Sequence, residues 1–286
     1  MYIRDILARP SVTISFEVFP PKKADSYQSV QKAALDIAGL QPDFMSVTYG
    51  AGGTTAGLTL DLAEGIQEDT GVPAIAHLTC VSSAREDVDR ILKDYEKRGI
   101  VNVLALRGDL PNDGNVKHDF EHAVDLIRYI KANSDMCIGG ACYPEGHVES
   151  ASKIADLGYL KEKADAGCEF FTPQMFFDNN TFYNFVRRAR ETGIQVPIVP
   201  GIMPITSAGQ LSRSVSLSGT QVPDRFRAIV DTFQSSPDAM KQAGIIYASE
   251  QIIDLIANGI RHIHVYSMNK PDVARAILSN LSEIIK

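Results

Sequence analysis

The residue that most suggests chemistry is Glu17, which lies in a strand-like run at 11–21. Alternation along a strand places Ser15 and Glu17 on one face and apolar residues such as Phe16 on the other. A charge in apolar surroundings is costly unless it is paired or neutralised, and this run ends in two prolines just beyond Glu17. The pattern favours a functional carboxylate at the end of the strand. The alternative is a glutamate on an edge strand that faces water.

Polar side chains recur at the carboxyl ends of the other strand-like runs. They include Thr48 and Tyr49, His77 and Thr79, Arg107 and Asp109, Tyr143 and His147, Thr172 and Gln174, and Tyr266 and Asn269. In a barrel of parallel strands, the catalytic groups collect at that end. We expect Glu17 and Asp109 to be the two carboxylates placed deep in this mouth, which favours a functional site over a passive barrel.

The residue types at these ends disfavour several kinds of site. No lysine ends any of the first seven runs, which disfavours a Schiff-base aldolase. His262 and His264 alternate on the last run without a third ligand, so satisfied core histidines are favoured over a metal site. Cys80 is expected to be a buried, inert thiol, and none of the four cysteines forms a C-x-x-C pair.

Positive and polar groups around the predicted mouth suit a cofactor that carries phosphates. Arg107, His77 and His147 contribute to this character. Lys163 adds to it, although taken alone it is expected to be a solvated helix residue paired with its neighbours.

Short apolar or β-branched runs alternate with amphipathic segments along the chain. The predicted strands lie at 12–19, 44–49, 74–79, 101–107, 137–143, 168–174, 196–201 and 262–267. Helices are predicted at 27–40, 58–70, 85–98, 119–132, 150–166 and 181–192. Eight such repeats predict an α/β protein with a (β/α)8 TIM barrel, formed by residues 1–286 as a single catalytic domain.

Two further features bear on the fold. The segment 216–259 is longer than one repeat needs and predicts extra helices between strands 7 and 8. An open doubly wound sheet is the alternative fold, but the chain lacks the G-x-G-x-x-G fingerprint of a dinucleotide-binding sheet.

Composition limits the partners and the compartment. The 286 residues carry a formal net charge of -7 and show no Lys/Arg-rich block, so nucleic acid and anionic membrane surfaces are not expected as partners. No apolar run approaches the roughly 18 residues of a membrane span, and charges interrupt the N-terminal segment where a signal peptide needs an apolar core. A cytoplasmic protein is expected.

At the positions discussed above, the sequence closely resembles the methylenetetrahydrofolate reductase family, FAD-dependent barrel enzymes of one-carbon metabolism. The matching motifs are SFEVFPPK at 15–22, SVTYGAGGT at 46–54, HLTC at 77–80, LALRGDLP at 104–111, YPEGH at 143–147, LKEKADAG at 160–167, QMFFD at 174–178, PGIMP at 200–204 and HVYSMN at 264–269. They follow the family order and span nearly the whole chain, so together they are highly specific.

The resemblance implies an oxidoreductase that reduces 5,10-methylenetetrahydrofolate to 5-methyltetrahydrofolate by a ping-pong route, with FAD as cofactor and NADH or NADPH as electron donor. Glu17 would be the general acid that protonates the N10 side of the methylene bridge, helped by an apolar setting that disfavours its charged form. Asp109 would act near the flavin and the folate, and Gln174 and Lys270 would contact the substrate.

The resemblance also implies the positions that hold FAD. They are Thr48, His77, Arg107, Gly108, Asp109, Ala141, Tyr143, His147, Asp156 and Lys163. In this family the cofactor performs the hydride chemistry, while the protein supplies orientation and electrostatics.

Some positions depart from the family pattern. The stretch 210–217 lacks the phenylalanine that some bacterial members place on the helix after strand 7, and Lys270 stands where many members have arginine. An alternative function follows, a flavoprotein subunit that takes electrons from a partner protein instead of NADH. A third hypothesis is a barrel lyase that uses Asp109 and His77 without flavin. A homo-oligomer is expected, and regulation by S-adenosylmethionine is not, because the sequence ends after the barrel.

Overall fold

The computed structural model describes residues 1–21, 26–49, 56–110, 117 and 119–286. The glycine-rich segment 50–55, which the sequence places after the second strand, lies outside the described residues. So do the ends of two motifs, at Lys22 and Pro111.

The strands of the described residues form one parallel sheet of eight, with strand order β6-β5-β4-β3-β2-β1-β8-β7. They are β1 (Thr13–Val18), β2 (Phe44–Val47), β3 (Ala74–Thr79), β4 (Asn102–Leu106), β5 (Cys137–Cys142), β6 (Phe170–Pro173), β7 (Gly201–Ile202) and β8 (His262–Tyr266). A parallel bridge between Phe171 and Ile198 brings the two ends of the sheet together. The predicted (β/α)8 TIM barrel is confirmed.

Helices alternate with the strands. They are α1 (Ile3–Leu7), α2 (Tyr27–Ala38), α3 (Ala56–Thr70), α4 (Arg85–Lys97), α5 (Ala123–Asn133), α6 (Lys153–Asp165), α7 (Asn179–Glu191), α8 (Ala208–Ser218), α9 (Asp224–Phe233), α10 (Pro237–Ala257) and α11 (Pro271–Leu281). Both α9 and α10 lie between β7 and β8 in addition to α8, which confirms the predicted extra helices. None of the described helices is long and apolar enough to cross a membrane.

The seventh strand is much shorter than predicted. The sequence predicts a strand at 196–201, whereas β7 covers only Gly201–Ile202. Pro197 and Pro200 have no N–H to donate to a ladder. Their carbonyl groups still accept hydrogen bonds, from the Phe171 N–H at 2.9 Å and the His264 N–H at 2.9 Å. The barrel is therefore nearly closed here by individual bonds instead of a continuous strand.

A short helix that the sequence analysis did not predict closes the amino end of the barrel. Ile3, Ile6 and Leu7 of α1 belong to a buried cluster with residues from the amino-terminal part of the strands, such as Phe44. The side chain of Asn102 anchors the helix, since its Oδ1 accepts from the Ile3 N–H at 2.9 Å. With this end filled by apolar side chains, the barrel opens at the carboxyl ends of its strands.

Candidate active site

The strand register determines which side chains surround Glu17. On β1, Glu17 lies opposite Ser46 of β2 and Tyr266 of β8. Two residues earlier, Ser15 lies opposite His264. Because inward-facing residues alternate along each strand, these positions bring hydroxyl and imidazole groups to the level of the carboxylate.

Polar groups from three strands approach the Glu17 carboxylate. Its Oε2 lies 3.4 Å from Ser46 Oγ, 3.7 Å from His77 Nε2 and 3.7 Å from His264 Nε2. The Glu17 side chain keeps 20% of its surface exposed, and Glu17 lies near the carboxyl end of β1. We call Ser15, Glu17, Ser46, His77 and His264 the Glu17 cluster. The expected apolar setting is wrong, because the inward positions of β2, β3 and β8 carry these polar side chains.

His77 is one of two buried imidazoles in the cluster. It is 5% exposed, and its Nε2 has no hydrogen-bond partner among the described residues. Burial lowers the pKa of His77 to about 4, although the nearby Glu17 acts in the opposite direction. The ring is therefore neutral at neutral pH. The resemblance implied a cofactor position for His77, and the structure places its ring beside Glu17.

His264 is a satisfied core histidine, as the sequence analysis favoured. Its Nδ1 lies 2.8 Å from Ser15 Oγ and its Nε2 lies 3.2 Å from Ser46 Oγ. His262 has a similar contact, 2.9 Å from its Nδ1 to Thr13 Oγ1, and burial lowers its pKa. The described residues contain no group of three potential metal ligands.

Sequence reasoning did not assign Ser15, Ser46 or His264 to the site. Alternation places Ser15 on the same face as Glu17, which is a usable signal. The register between neighbouring strands is not visible in the sequence, so the approach of Ser46 and His264 could not be predicted.

A cavity of about 550 Å³ lies over the carboxyl ends of β3, β4 and β5 and is flanked by α5 and α6. We call it the β4–β5 cavity. Its lining includes most of the predicted cofactor positions, namely Arg107, Gly108, Asp109, Ala141, Tyr143, His147, Asp156 and Lys163. The two remaining predicted positions, Thr48 and His77, are not part of this lining. The carbonyl of Thr48 accepts a hydrogen bond from the Thr59 hydroxyl at 2.9 Å.

An ion pair spans the exposed side of the cavity. The Arg107 guanidinium donates to both carboxylate oxygens of Glu149, at 2.5 and 3.1 Å. This bidentate contact raises the pKa of Arg107 and lowers that of Glu149. Arg107 is therefore a fixed cation in the lining, held by a partner that is about half exposed.

Aromatic and acidic groups line the wall of the cavity next to β5. The ring of Tyr143 meets that of His147 edge-on, with 4.5 Å between their centroids. Burial raises the pKa of Tyr143 to about 12, so the phenol keeps its proton. Asp156 accepts a hydrogen bond from the Ser150 hydroxyl at 2.9 Å, which fixes its carboxylate.

Lys163 lies on the face of α6 that is turned toward the barrel. Its ammonium group donates to the Ala141 carbonyl at 2.5 Å and lies 5.7 Å from the centroid of the Phe171 ring. Burial lowers the pKa of Lys163. The interpretation as a solvated helix lysine is therefore wrong, because the side chain reaches inward to the β5 backbone.

Gly108 lets the backbone turn closely against β3. Its φ is +88°, and an added Cβ would lie 2.9 Å from Thr79 Cβ. A residue with a side chain is strained in this conformation. Glycine therefore keeps this part of the cavity wall open.

The predicted substrate contacts lie around the rim. Asp109 is exposed, so the expectation that it lies deep is wrong; it follows β4 on a loop beyond the last ladder bond. Gln174 is half-buried after β6, and its N–H donates to the Cys142 carbonyl at 2.8 Å. Lys270 is half-buried, and its ammonium donates to Thr206 Oγ1 at 2.6 Å, which ties the end of β8 to the loop after β7.

All four cysteines are free and buried. Burial raises the pKa of Cys80 to about 12, which keeps the thiol protonated. The expectation that Cys80 is a buried thiol is confirmed.

Comparison with known proteins defines the family. The family model described as methylenetetrahydrofolate reductase matches residues 2–282. The chain belongs to the methylenetetrahydrofolate reductase family. A relative from Pectobacterium carotovorum subsp. carotovorum, named 5,10-methylenetetrahydrofolate reductase, is 36% identical over 270 residues, which are 94% of this chain and 90% of the relative.

Plant members of the family are longer. The Arabidopsis thaliana protein named methylenetetrahydrofolate reductase (NADH) 1 is 36% identical over 297 residues, covering 99% of this chain and 50% of the relative. Among solved structures, an uncharacterized protein from Clostridium thermocellum that binds two copies of 5-methyl-5,6,7,8-tetrahydrofolic acid matches with a TM-score of 0.65 at 17% identity, over 99% of both chains. At that identity, the structural match shows the shared fold alone.

Proposed function

We propose that this chain reduces 5,10-methylenetetrahydrofolate to 5-methyltetrahydrofolate, with FAD as cofactor and NADH or NADPH as electron donor in a ping-pong sequence. The observation that carries the proposal is that the β4–β5 cavity and Glu17 share one end of the barrel. Membership of the family supports the same reaction class. The proposal treats residues 1–286 as a single catalytic domain of a cytoplasmic homo-oligomer.

The residues of the β4–β5 cavity fit a dinucleotide flavin. Its volume of about 550 Å³ lies within the roughly 300–1,000 Å³ of small-molecule sites. Arg107 and Lys163 supply positive charge for a diphosphate, and a phosphate that took the bidentate position on Arg107 would displace Glu149 from it. Because Gly108 has no side chain, a ligand can lie close to the backbone at this part of the cavity wall. FAD bound there would supply the hydride transfer chemistry.

The remaining residues of the cavity would hold and orient the cofactor. Tyr143 and His147 offer ring surfaces, and the protonated phenol of Tyr143 is a hydrogen-bond donor. Asp156 offers a fixed acceptor for hydroxyl groups. Asp109, exposed at the rim, can contact both the cofactor and a substrate that enters from the mouth.

Glu17 is the group that holds a proton for the substrate. Its carboxyl lies inside the barrel below the mouth, with one oxygen facing the hydroxyl and imidazole groups of the cluster. A positioned carboxylic acid of this kind contributes about 10²–10⁴-fold to a proton-transfer step. Gln174 and Lys270 would contact the folate. The lowered pKa of His77 keeps its ring neutral, so His77 places no positive charge beside the Glu17 carboxyl.

A spectrum of the purified protein tests the proposal. Flavin absorption bands that bleach with NADH in the absence of oxygen and return on adding methylenetetrahydrofolate would establish both half-reactions. A protein that stays colourless after FAD is added would overturn the flavin assignment and favour a barrel lyase.

A second candidate takes its electrons from a partner protein. The described helix α8 carries no aromatic side chain and begins with Ala208 and Gly209, so it offers no ring to stack on a nicotinamide. The two candidates differ in the first half-reaction. The partner-dependent protein would be favoured if neither NADH nor NADPH bleaches the flavin bands. In that case dithionite should bleach the bands and methylenetetrahydrofolate should restore them.

A further inference from the structure

The hydroxyl of Ser46 lies between two groups that compete for its one proton. Its Oγ is 3.2 Å from His264 Nε2 and 3.4 Å from Glu17 Oε2. Ser46 is 3% exposed, so bulk water does not share these contacts. A hydroxyl has one O–H donor and two acceptor lone pairs, and it rotates to suit its partners. Ser46 can therefore donate to one neighbour at a time.

Ser15 determines what His264 presents to Ser46. The Ser15 hydroxyl donates to the Ile263 carbonyl at 3.1 Å, and its Oγ is 2.8 Å from His264 Nδ1. With the one proton of Ser15 donated to the Ile263 carbonyl, which can only accept, Ser15 accepts from Nδ1–H. In a neutral ring with the proton on Nδ1, Nε2 is an acceptor. His264 thus offers a lone pair to Ser46.

We propose that Ser46 is a positioning residue for the acid: its hydroxyl donates to His264 Nε2 while Glu17 is protonated, and turns to donate to the Glu17 carboxylate once that proton has gone to the substrate. The inference rests on the proposed role of Glu17. Only the Glu17 proton leaves the cluster, since Ser46, His264 and Ser15 keep theirs. The rotation needs no backbone movement.

This arrangement gives the carboxyl group a partner in both protonation states. Protonated Glu17 can donate its O–H to Ser46 Oγ, while the Ser46 hydroxyl donates a hydrogen bond to His264 Nε2 and keeps its proton. Ionised Glu17 accepts from Ser46 instead. A buried hydroxyl between two fixed acceptors is preorganised, so the hydrogen bond to the developing carboxylate requires little rearrangement. His77 Nε2, at 3.7 Å from Glu17, has no such bridging hydroxyl among the described residues.

The barrel contains a matched pair that lacks the connection to Glu17. One layer nearer the amino end, Thr13 lies opposite His262, and Thr13 Oγ1 is 2.9 Å from His262 Nδ1. The contact joins the same two strands with the same chemistry. Thr13→Val therefore removes an inward hydroxyl–imidazole contact without touching the proposed relay.

Stopped-flow measurement of the two half-reactions separates a positioning role from a structural one. For Ser46→Ala, we expect the oxidation of reduced flavin by methylenetetrahydrofolate to slow about tenfold or more, because a hydrogen bond to a charged group is lost. Reduction of the flavin by NADH should stay within about twofold of wild type, since Ser46 does not line the cavity. Thr13→Val should leave both half-reactions unchanged.

Double substitution tests whether the residues act as one relay. Ser15→Ala should slow the folate half-reaction, and the double variant Ser15→Ala/Ser46→Ala should be no slower than Ser46→Ala alone. Independent, multiplying losses would contradict the relay. So would a wild-type folate rate in Ser46→Ala, or an equal loss in Thr13→Val. If Ser46→Ala does not fold, Ser15→Ala carries the same comparison with Thr13→Val.

Nitrogen NMR of histidine-labelled protein tests the ring directly and does not depend on activity. We expect His264, assigned by loss of its signal in His264→Gln, to carry its proton on Nδ1, and Ser15→Ala to shift the population toward the Nε2 form. A wild-type His264 protonated on Nε2 overturns the inference. If the wild type fails to reduce methylenetetrahydrofolate at all, the proposed function fails. The NMR measurement still reports the His264 tautomer in that case, so the two failures can be told apart.

Discussion

The mouth of the barrel contains two regions of different chemistry. The β4–β5 cavity is wide, about 550 Å³, and is lined by formal charges from Arg107, Lys163 and Asp156. The Glu17 cluster is narrow, with one carboxylate held within 3.7 Å of neighbouring side chains. Its other groups are hydroxyls and imidazoles, which have a donor and an acceptor state.

The difference matches two different tasks. A large anionic ligand needs fixed cations and space, because its charges persist throughout the reaction. A proton that is given up and regained needs partners that can reverse their hydrogen bonds. The predictions below ask whether substitutions in one region leave the function of the other intact.

The largest expected effect comes from Glu17→Gln. Loss of the proton donor should slow the folate half-reaction by about 100-fold or more, while NADH bleaches the flavin at nearly the wild-type rate. Stopped-flow absorbance of both half-reactions is the measurement, and Glu68→Gln, which removes an exposed carboxylate on α3, is the control for charge. Wild-type folate turnover in Glu17→Gln would show that the acid is another residue, and slow bleaching would show that the two regions are not separate.

The pH dependence of folding should reveal the buried imidazole of His77. Its pKa of about 4 lies below the unfolded value of 6.5, so below pH 6.5 the unfolded state binds a proton that the native state does not. Stability from this group is complete above pH 6.5 and is lost as the pH falls toward 4, about 2 kcal/mol of it between pH 7 and pH 5. Urea unfolding of wild type and His77→Asn at both pH values measures it. Equal pH responses of the two proteins would show that burial does not lower the pKa of His77 in the native state.

Gly108→Ala should damage the cavity and leave the Glu17 cluster intact. The φ of +88° and the 2.9 Å approach to Thr79 predict a loss of about 1–2 kcal/mol of stability, together with weaker FAD binding. Thermal unfolding and FAD titration measure both effects. Gly158→Ala is the control, because its added Cβ meets nothing within 4 Å and it lies inside α6, where alanine stabilises by roughly 0.5–1 kcal/mol. A Gly108→Ala protein as stable as wild type would remove the argument from backbone strain.

The smallest expected effect is that of Lys163→Met, which keeps the length of the apolar stem and removes the charge. We expect FAD to bind about tenfold more weakly, equivalent to about 1.4 kcal/mol, and the folate half-reaction of the FAD-saturated protein to be unchanged. Lys161→Met is the matched control, since Lys161 lies on the same helix and pairs with Asp165. Equal losses in the two variants would mean that general helix charge, and not the inward ammonium, supports binding.

Much of the fold could be predicted from the sequence because its signals are local. Alternation and helical periodicity predicted the strand–helix repeats. The length of the segment 216–259 predicted the extra helices. The seventh strand was overestimated because Pro197 and Pro200 interrupt the ladder while keeping an extended chain. The helix α1 was missed because five residues give too little periodicity to detect.

The candidate site divides along the same line. The sequence by itself determined that a carboxylate, Glu17, stands near the carboxyl end of the first strand, and its motifs identified the family. Only the tertiary structure decided that Ser46 and His264 share one oxygen of that carboxylate, and that Lys163 faces the barrel while Asp109 faces solvent. The physical reason is that residue type and alternation are properties of single segments, whereas strand register and helix rotation are set by the packing of segments far apart in the chain.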